Sequence, residues 1–157
     1  MVGMRVAELV DLRCGDLLCG YGQCEIFVRD GKGGKSRHIQ ILESLKTHLR
    51  QFIAWKREMG EGTGEDDYVF VGKRGVWSRQ APQQIVKKYL KQLGLYEKGK
   101  SIHSLRHSYA TELYKNCKDL RAVQKQLGHA SIVTTTIYSD VTKEAIKEHL
   151  VGMWRGR

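Results

Sequence analysis

The sequence predicts an α+β fold that is mainly α, with one small three-stranded antiparallel sheet. Two observations carry that prediction. Apolar and polar residues alternate on either side of a glycine cluster between residues 24 and 42, the pattern of strand, turn and strand. Elsewhere apolar residues recur at helical steps, almost without interruption from Leu105 onward. At 157 residues the chain suits a single domain with its own core.

Taken in order, residues 5–12 read as a short helix whose apolar side holds Val6, Leu9 and Val10. A first strand is expected around Asp16–Leu18, a second over Cys24–Val28 and a third over Ser36–Leu42, where Ile39 and Ile41 alternate. A longer helix follows over Glu43–Glu58, with Leu45, Leu49, Phe52 and Ile53 among its face residues. Residues 59–67, "MGEGTGEDD", form the clearest loop, and a brief strand at Tyr68–Val71 leads into the turn "GKRG". Ser78 is placed to cap a helix over 79–93 that Gly94 ends. Further helices are expected over 105–116, 119–127, 131–138 and 142–153, with Gly128 as a stop and Ser131 as a cap.

Lys and Arg outnumber Asp and Glu enough to give a formal net charge of +10, and the isoelectric point is about 9.6. An excess of that size in a small domain favours a polyanionic partner, above all nucleic acid. No apolar run approaches the about 18 residues that cross a bilayer, and no basic segment followed by an apolar one opens the chain. The expectation is a cytoplasmic protein with no membrane partner. Cys14, Cys19, Cys24 and Cys117 form no C-x-x-C pair, so reduced thiols are expected rather than a metal site.

"RDGKGGKSRH" at 29–38 looks like a phosphate-binding nucleotide loop. It fails twice as one. The first glycine of G-x-x-x-x-G-K-[ST] falls on Arg29, and a strand follows where a helix N-terminus is required. What remains is a hairpin turn carrying Lys32 and Lys35 on a glycine-rich tip.

The second half holds His103 and Arg106 three apart near a helix start, and His129 nine residues before Tyr138. Taken singly, each histidine is better explained by core packing. Together with Arg5 and a hairpin lysine they form a set of cations, proton donors and one phenol suited to phosphodiester transfer without a metal or a nucleotide cofactor.

The chain resembles the catalytic domain of the tyrosine recombinases, the family of phage integrases and Xer recombinases. The matching pieces are "GMRVAEL" at 3–9, "GKGGKSRHIQI" at 31–41, "HSLRHSYAT" at 103–111, "LGH" at 127–129 and "TTTIYS" at 134–139, in the family's order. The resemblance implies that Tyr138 attacks a DNA phosphodiester, forming a 3′-phosphotyrosyl link and freeing a 5′-hydroxyl. It implies that Arg5 and Arg106 clamp the non-bridging oxygens and that Lys32 protonates the departing 5′-oxygen. His103 would assist proton transfer from the tyrosine, and His129 would donate a hydrogen bond to the phosphate. No cofactor or metal is called for.

Around that set, Glu8 lies one helical turn after Arg5 and either orients it or is an ordinary helix carboxylate. Lys35, Arg37, Lys73, Arg74 and Arg79 are candidate contacts to DNA phosphates. Ile146, Leu150 and Trp154 make one apolar stripe. It either packs on its own chain or docks onto a neighbouring protomer, and the resemblance implies docking, with a homotetramer forming on double-stranded DNA.

Family members carry further catalytic-domain residues before the first arginine, and before those a separate domain that grips the DNA. The chain is therefore expected to be a single catalytic domain over 1–157, truncated at its N-terminal side. The leading expectation is a prokaryotic or viral site-specific recombinase serving integration, excision or resolution. The alternatives are a catalytically impaired DNA-binding remnant, which forms no covalent adduct, and a type IB topoisomerase-like enzyme, which relaxes supercoils without joining two sites.

Overall fold

The computed structural model of the chain describes residues 2–31 and 34–128. The expected helices over 131–138 and 142–153, together with Lys32, His129 and Tyr138, lie outside the described residues. Helix α1 (Val6–Val10) is followed by a 3-10 turn (Cys14–Asp16) and strands β1 (Leu17–Leu18), β2 (Glu25–Val28) and β3 (Arg37–Gln40). Helix α2 (Glu43–Glu58) precedes a two-stranded hairpin, β4 (Val71–Gly72) with β5 (Gly75–Val76). Helices α3 (Gln80–Gln92), α4 (Ile102–Cys117) and α5 (Leu120–Leu127) complete the order.

The expected three-stranded antiparallel sheet is present in the order β1-β2-β3, with Ile26 opposite Ile39 and Val28 opposite Arg37. Alternation turns Ile26, Val28 and Ile39 inward. They join Leu12, Ile41 and Val69 in one buried cluster, and Leu45, Leu49 and Phe52 of α2 pack against it. A second cluster, Ala110, Val123 and Leu127 with Tyr109 and Leu113 around it, joins α4 to α5.

Residues 2–5 connect the two clusters. Val2 and Met4 pack on the first. Between them Gly3, at φ +71°, lies so close to the second that an added Cβ would sit 2.6 Å from Leu127 Cδ2 and 2.7 Å from Tyr109 Cδ1. Both the backbone angle and the space require glycine there.

Several boundaries differ from expectation for local reasons. Where the strand 68–71 is expected, Tyr68 forms an isolated bridge with Arg13 and of the four residues only Val71 belongs to a strand. The strand pairing moves on to Val71–Gly72, because the "GKRG" turn closes a hairpin on β5. Ser78 does not cap α3; Arg79 occupies the cap position without a side-chain bond, and Pro82 sits in the first turn, where its missing N–H is not needed. Helix α4 starts earlier than expected because Ser101 caps it, accepting from the His103 N–H, while Ser104 accepts from the Ser101 N–H. Asp119 caps α5, and Gly128 ends it in the left-handed region. No described helix is long and apolar enough to cross a membrane.

Candidate active site

The expected catalytic arginines sit near opposite ends of the described chain. Arg5 precedes α1 as its cap residue, and Arg106 lies on the second turn of α4. Both reach the C-terminal end of α5. Arg5 Nη2 donates to the Gly128 carbonyl at 2.8 Å, and Arg106 Nη2 donates to the Leu127 carbonyl at 2.7 Å. Arg106 Nη1 also donates to the Gly3 carbonyl, tying α4 to the segment that leads into Arg5. The last carbonyls of a helix lack partners within it and carry the negative end of its dipole. Guanidinium groups answer both needs.

A third arginine joins them. Arg37 opens β3, and its Nε lies 3.4 Å from the Gln126 carbonyl. Carbonyls 126, 127 and 128 therefore each meet a different arginine. The Gln126 side chain fixes the same helix end to the sheet edge. Its amide accepts from the Gln40 N–H at 3.2 Å and donates to the Gln40 carbonyl at 2.8 Å. It donates to Tyr109 Oη as well, at 3.0 Å.

Glu8 is the centre of the charge arrangement. Its Oε1 accepts from Arg5 Nη1 at 2.7 Å and Arg37 Nη1 at 2.8 Å. Its Oε2 accepts from the Arg5 backbone N–H and Arg37 Nη2, both at 2.8 Å. Four donors fill the lone-pair positions of one carboxylate. The side chain is 3% exposed. Burial alone would push its pKa up. The Arg37 guanidinium, then the Arg5 N–H and guanidinium, outweigh that and hold it at about 2. Of the two readings of Glu8, the geometry fits the one in which it orients Arg5.

Arg37, one of the candidate contacts to DNA phosphates, turns inward: its side chain is 9% exposed and its paired Nη groups face Glu8. A buried carboxylate demands a cation, and β3 supplies one. Spacing could not show this, because Arg37 lies 29 residues from Glu8. Gly3 and Gln126 were also missed, since their roles rest on tertiary contact alone.

The other described candidate cations lie outward. His103 is exposed on the first turn of α4, one turn before Arg106. Lys35, Lys73, Arg74 and Arg79 are exposed on the two hairpin loops and the start of α3. Lys32 falls between the described residues Gly31 and Gly34, and His129 directly follows Gly128 in sequence. No cluster of potential metal ligands occurs among the described residues, and Cys14, Cys19, Cys24 and Cys117 are free thiols.

A model of the phage integrase family matches residues 1–145. The chain belongs to that family. It is 40% identical over 153 residues to the tyrosine recombinase XerD of Oceanobacillus iheyensis, covering 93% of this chain and 48% of that protein. With the tyrosine recombinase XerC of Herpetosiphon aurantiacus it shares 40% identity over 143 residues, or 90% of this chain and 45% of the relative. The fold superposes on the crystal structure of XerA recombinase with a TM-score of 0.76 at 31% identity, covering 99% of this chain and 54% of that one. On XerH site-specific recombinase in a pre-cleavage complex with its difH substrate the TM-score is 0.80 at 28% identity, covering 99% of this chain and 44% of that one. The chain spans about half the length of the curated relatives it matches.

Proposed function

We propose that this chain is the catalytic region of a site-specific tyrosine recombinase that cuts and rejoins double-stranded DNA. The observation that carries the reading is the meeting of Arg5 and Arg106 at one helix end, one residue before His129 in the sequence. Guanidinium groups stay charged and offer planar pairs of N–H donors that match phosphate oxygens. Held in place before the reaction, such donors meet the charge that develops on the phosphorus oxygens.

In this reading Tyr138 Oη attacks the phosphorus, the bond to the 5′-oxygen breaks, and a 3′-phosphotyrosyl link forms. A phenol with a pKa of about 10 is a weak nucleophile at neutral pH until a base and neighbouring cations assist it. His103 assists removal of its proton, His129 donates to a phosphate oxygen, and Lys32 gives the departing 5′-oxygen its proton. Attack by a 5′-hydroxyl on the phosphotyrosine reverses the chemistry and conserves the bond energy. Lys35, Lys73, Arg74 and Arg79 add non-specific phosphate contacts, so affinity falls steeply with salt.

The reading extends to assembly, with the segment holding Ile146, Leu150 and Trp154 docking onto a neighbouring copy to build a tetramer on DNA. A groove of about 1480 Å³ between β3, α2, α4 and α5, with Ile41, Leu45, Tyr109 and Leu113 in its walls, supports such a contact. The setting is the cytoplasm, where the enzyme meets chromosomal or viral DNA.

The test uses nicked suicide DNA, which traps the covalent adduct. Wild type forms the adduct, and Lys32→Ala slows it by about 100-fold or more. A 5′-bridging phosphorothiolate, whose thiolate leaves without a proton, restores most of the lost rate. A wild-type chain that forms no adduct overturns the reading, and a defect that the thiolate leaves unchanged removes Lys32 from its role.

A further inference from the structure

Arg5 has a neighbour that ought to weaken it. Glu8 takes one Nη of Arg5 and its backbone N–H, at 2.7 and 2.8 Å. A carboxylate bonded to a single guanidinium cancels that group's charge, and a cancelled cation is a poor partner for phosphate. Arg37 changes this balance. Its two Nη groups occupy the opposite side of the same carboxylate, each at 2.8 Å. Two guanidinium groups around one carboxylate leave a net positive charge, which faces water on the Arg5 side. Arg5 is the more open of the pair, with 24% of its side chain exposed against 9% for Arg37.

Arg37 is also fixed from three other directions. Its Nε approaches the Gln126 carbonyl. Its stem lies flat on Gly128, where an added Cβ would be 2.7 Å from both Cδ and Nε. Its Nη1 would lie 3.2 Å from a Cβ added at Gly31, at the base of the glycine-rich turn. Gly128 has φ +65° and is crossed by this side chain, so it is held to glycine twice over. One side chain thus touches α1, the hairpin base and the end of α5.

We propose that Arg37 is a positioning residue for DNA cleavage: by sharing Glu8 with Arg5, it keeps Arg5 aimed and positively charged toward the scissile phosphate. The proposal rests on the reading of this site as a DNA-cleaving one. It assigns Arg37 no contact with DNA. A lysine would not replace it, because one ammonium cannot make two parallel bonds to a carboxylate while its stem lies on Gly128.

The test measures single-turnover adduct formation by the full chain on two suicide duplexes at saturating DNA. One carries the ordinary phosphate and the other a methylphosphonate at the scissile position, which is neutral. Arg37→Met is expected to slow cleavage of the phosphate by about 100-fold, the scale of a misplaced catalytic group. The methylphosphonate has less charge to neutralise, so the loss there is expected to shrink to about tenfold or less. Arg37→Lys should recover little of the rate. Near-ultraviolet circular dichroism checks that each variant is folded. Should Arg37→Met fail to fold, Arg37→Gln replaces it: the amide still donates to Glu8 but carries no charge, and the same slow, substrate-dependent cleavage is expected of it.

A variant rate within about threefold of wild type, or an equal loss on both substrates, overturns the proposal. Wild type that forms no adduct, or Tyr138→Phe that forms as much, overturns the cleavage reading and the proposal with it.

Discussion

Glu8 and Glu61 each hold a cation that is out of water, yet the two pairs are built differently. Lys56 is fully buried at the end of α2, and its ammonium meets Glu61 at 2.8 Å, five residues on. Glu61 keeps 37% of its side chain exposed, so water shares in solvating the pair. The contact is local and closes one helix end, where the Glu61 N–H also returns to the Lys56 carbonyl. Glu8 is 3% exposed and takes two arginines, one of them 29 residues away. Those arginines reach on to carbonyls 126 and 128, across most of the described chain. A pair made of neighbours can be lost with little consequence elsewhere. One made across the fold sets the relative position of everything it joins.

The contrast can be broken at its strongest point first. Glu8→Ala leaves Arg37 buried without a carboxylate and Arg5 without its guide. Urea unfolding should show a loss of about 3–5 kcal/mol, and the surviving folded protein should cleave suicide DNA slowly. A loss below about 1 kcal/mol would place Glu8 with ordinary surface carboxylates.

Acid sharpens the same point. The folded pKa of Glu8, about 2, lies below its ordinary value of 4.5. Its stabilisation is therefore complete above the ordinary value and fades as pH falls from about 4.5 toward 2. Allowing for solvent on the Arg5 side, the loss is roughly 2 kcal/mol. Glu8→Gln should flatten the stability–pH curve in that window, measured against wild type by chemical unfolding at each pH.

Glu61→Ala should cost less, about 1–2 kcal/mol, because Lys56 loses a partner that water already shared. Lys56→Met is the mildest change, within about 1 kcal/mol, since an apolar side chain of similar length fills the site without a charge to solvate. In both variants the rate of adduct formation per folded molecule should match wild type. A slowed rate in either would erase the distinction between a local pair and one that organises the site.

Several local signals in the sequence carried through to the structure. Helix α2 runs over Glu43–Glu58 as expected, because its apolar spacing is regular and a polar, glycine-rich loop follows it. The sheet follows from strict alternation at Ile26, Val28, Ile39 and Ile41. Gly128 was readable as a helix stop because a left-handed cap favours glycine. Elsewhere one local preference gave way to another. Ser78 yielded the cap position to Arg79, and the strand expected at 68–71 shifted to where β5 could pair with it. Arg37 reads as one more exposed cation in a basic turn until Glu8, Gly128 and Gln126 arrive around it. Arg5 and Arg106 were legible through motif resemblance, whereas the carbonyls that aim them belong to the backbone and leave no mark on residue type.

The most direct measurement is to trap wild-type protein on suicide DNA, digest the adduct and locate the nucleotide-bearing peptide by mass spectrometry. The nucleotide should lie on Tyr138, through its 3′-phosphate, and Tyr138→Phe should abolish it. A nucleotide on any other residue, or an equal yield of adduct from Tyr138→Phe, would contradict a site in which Arg5 and Arg106 hold the phosphate for that tyrosine.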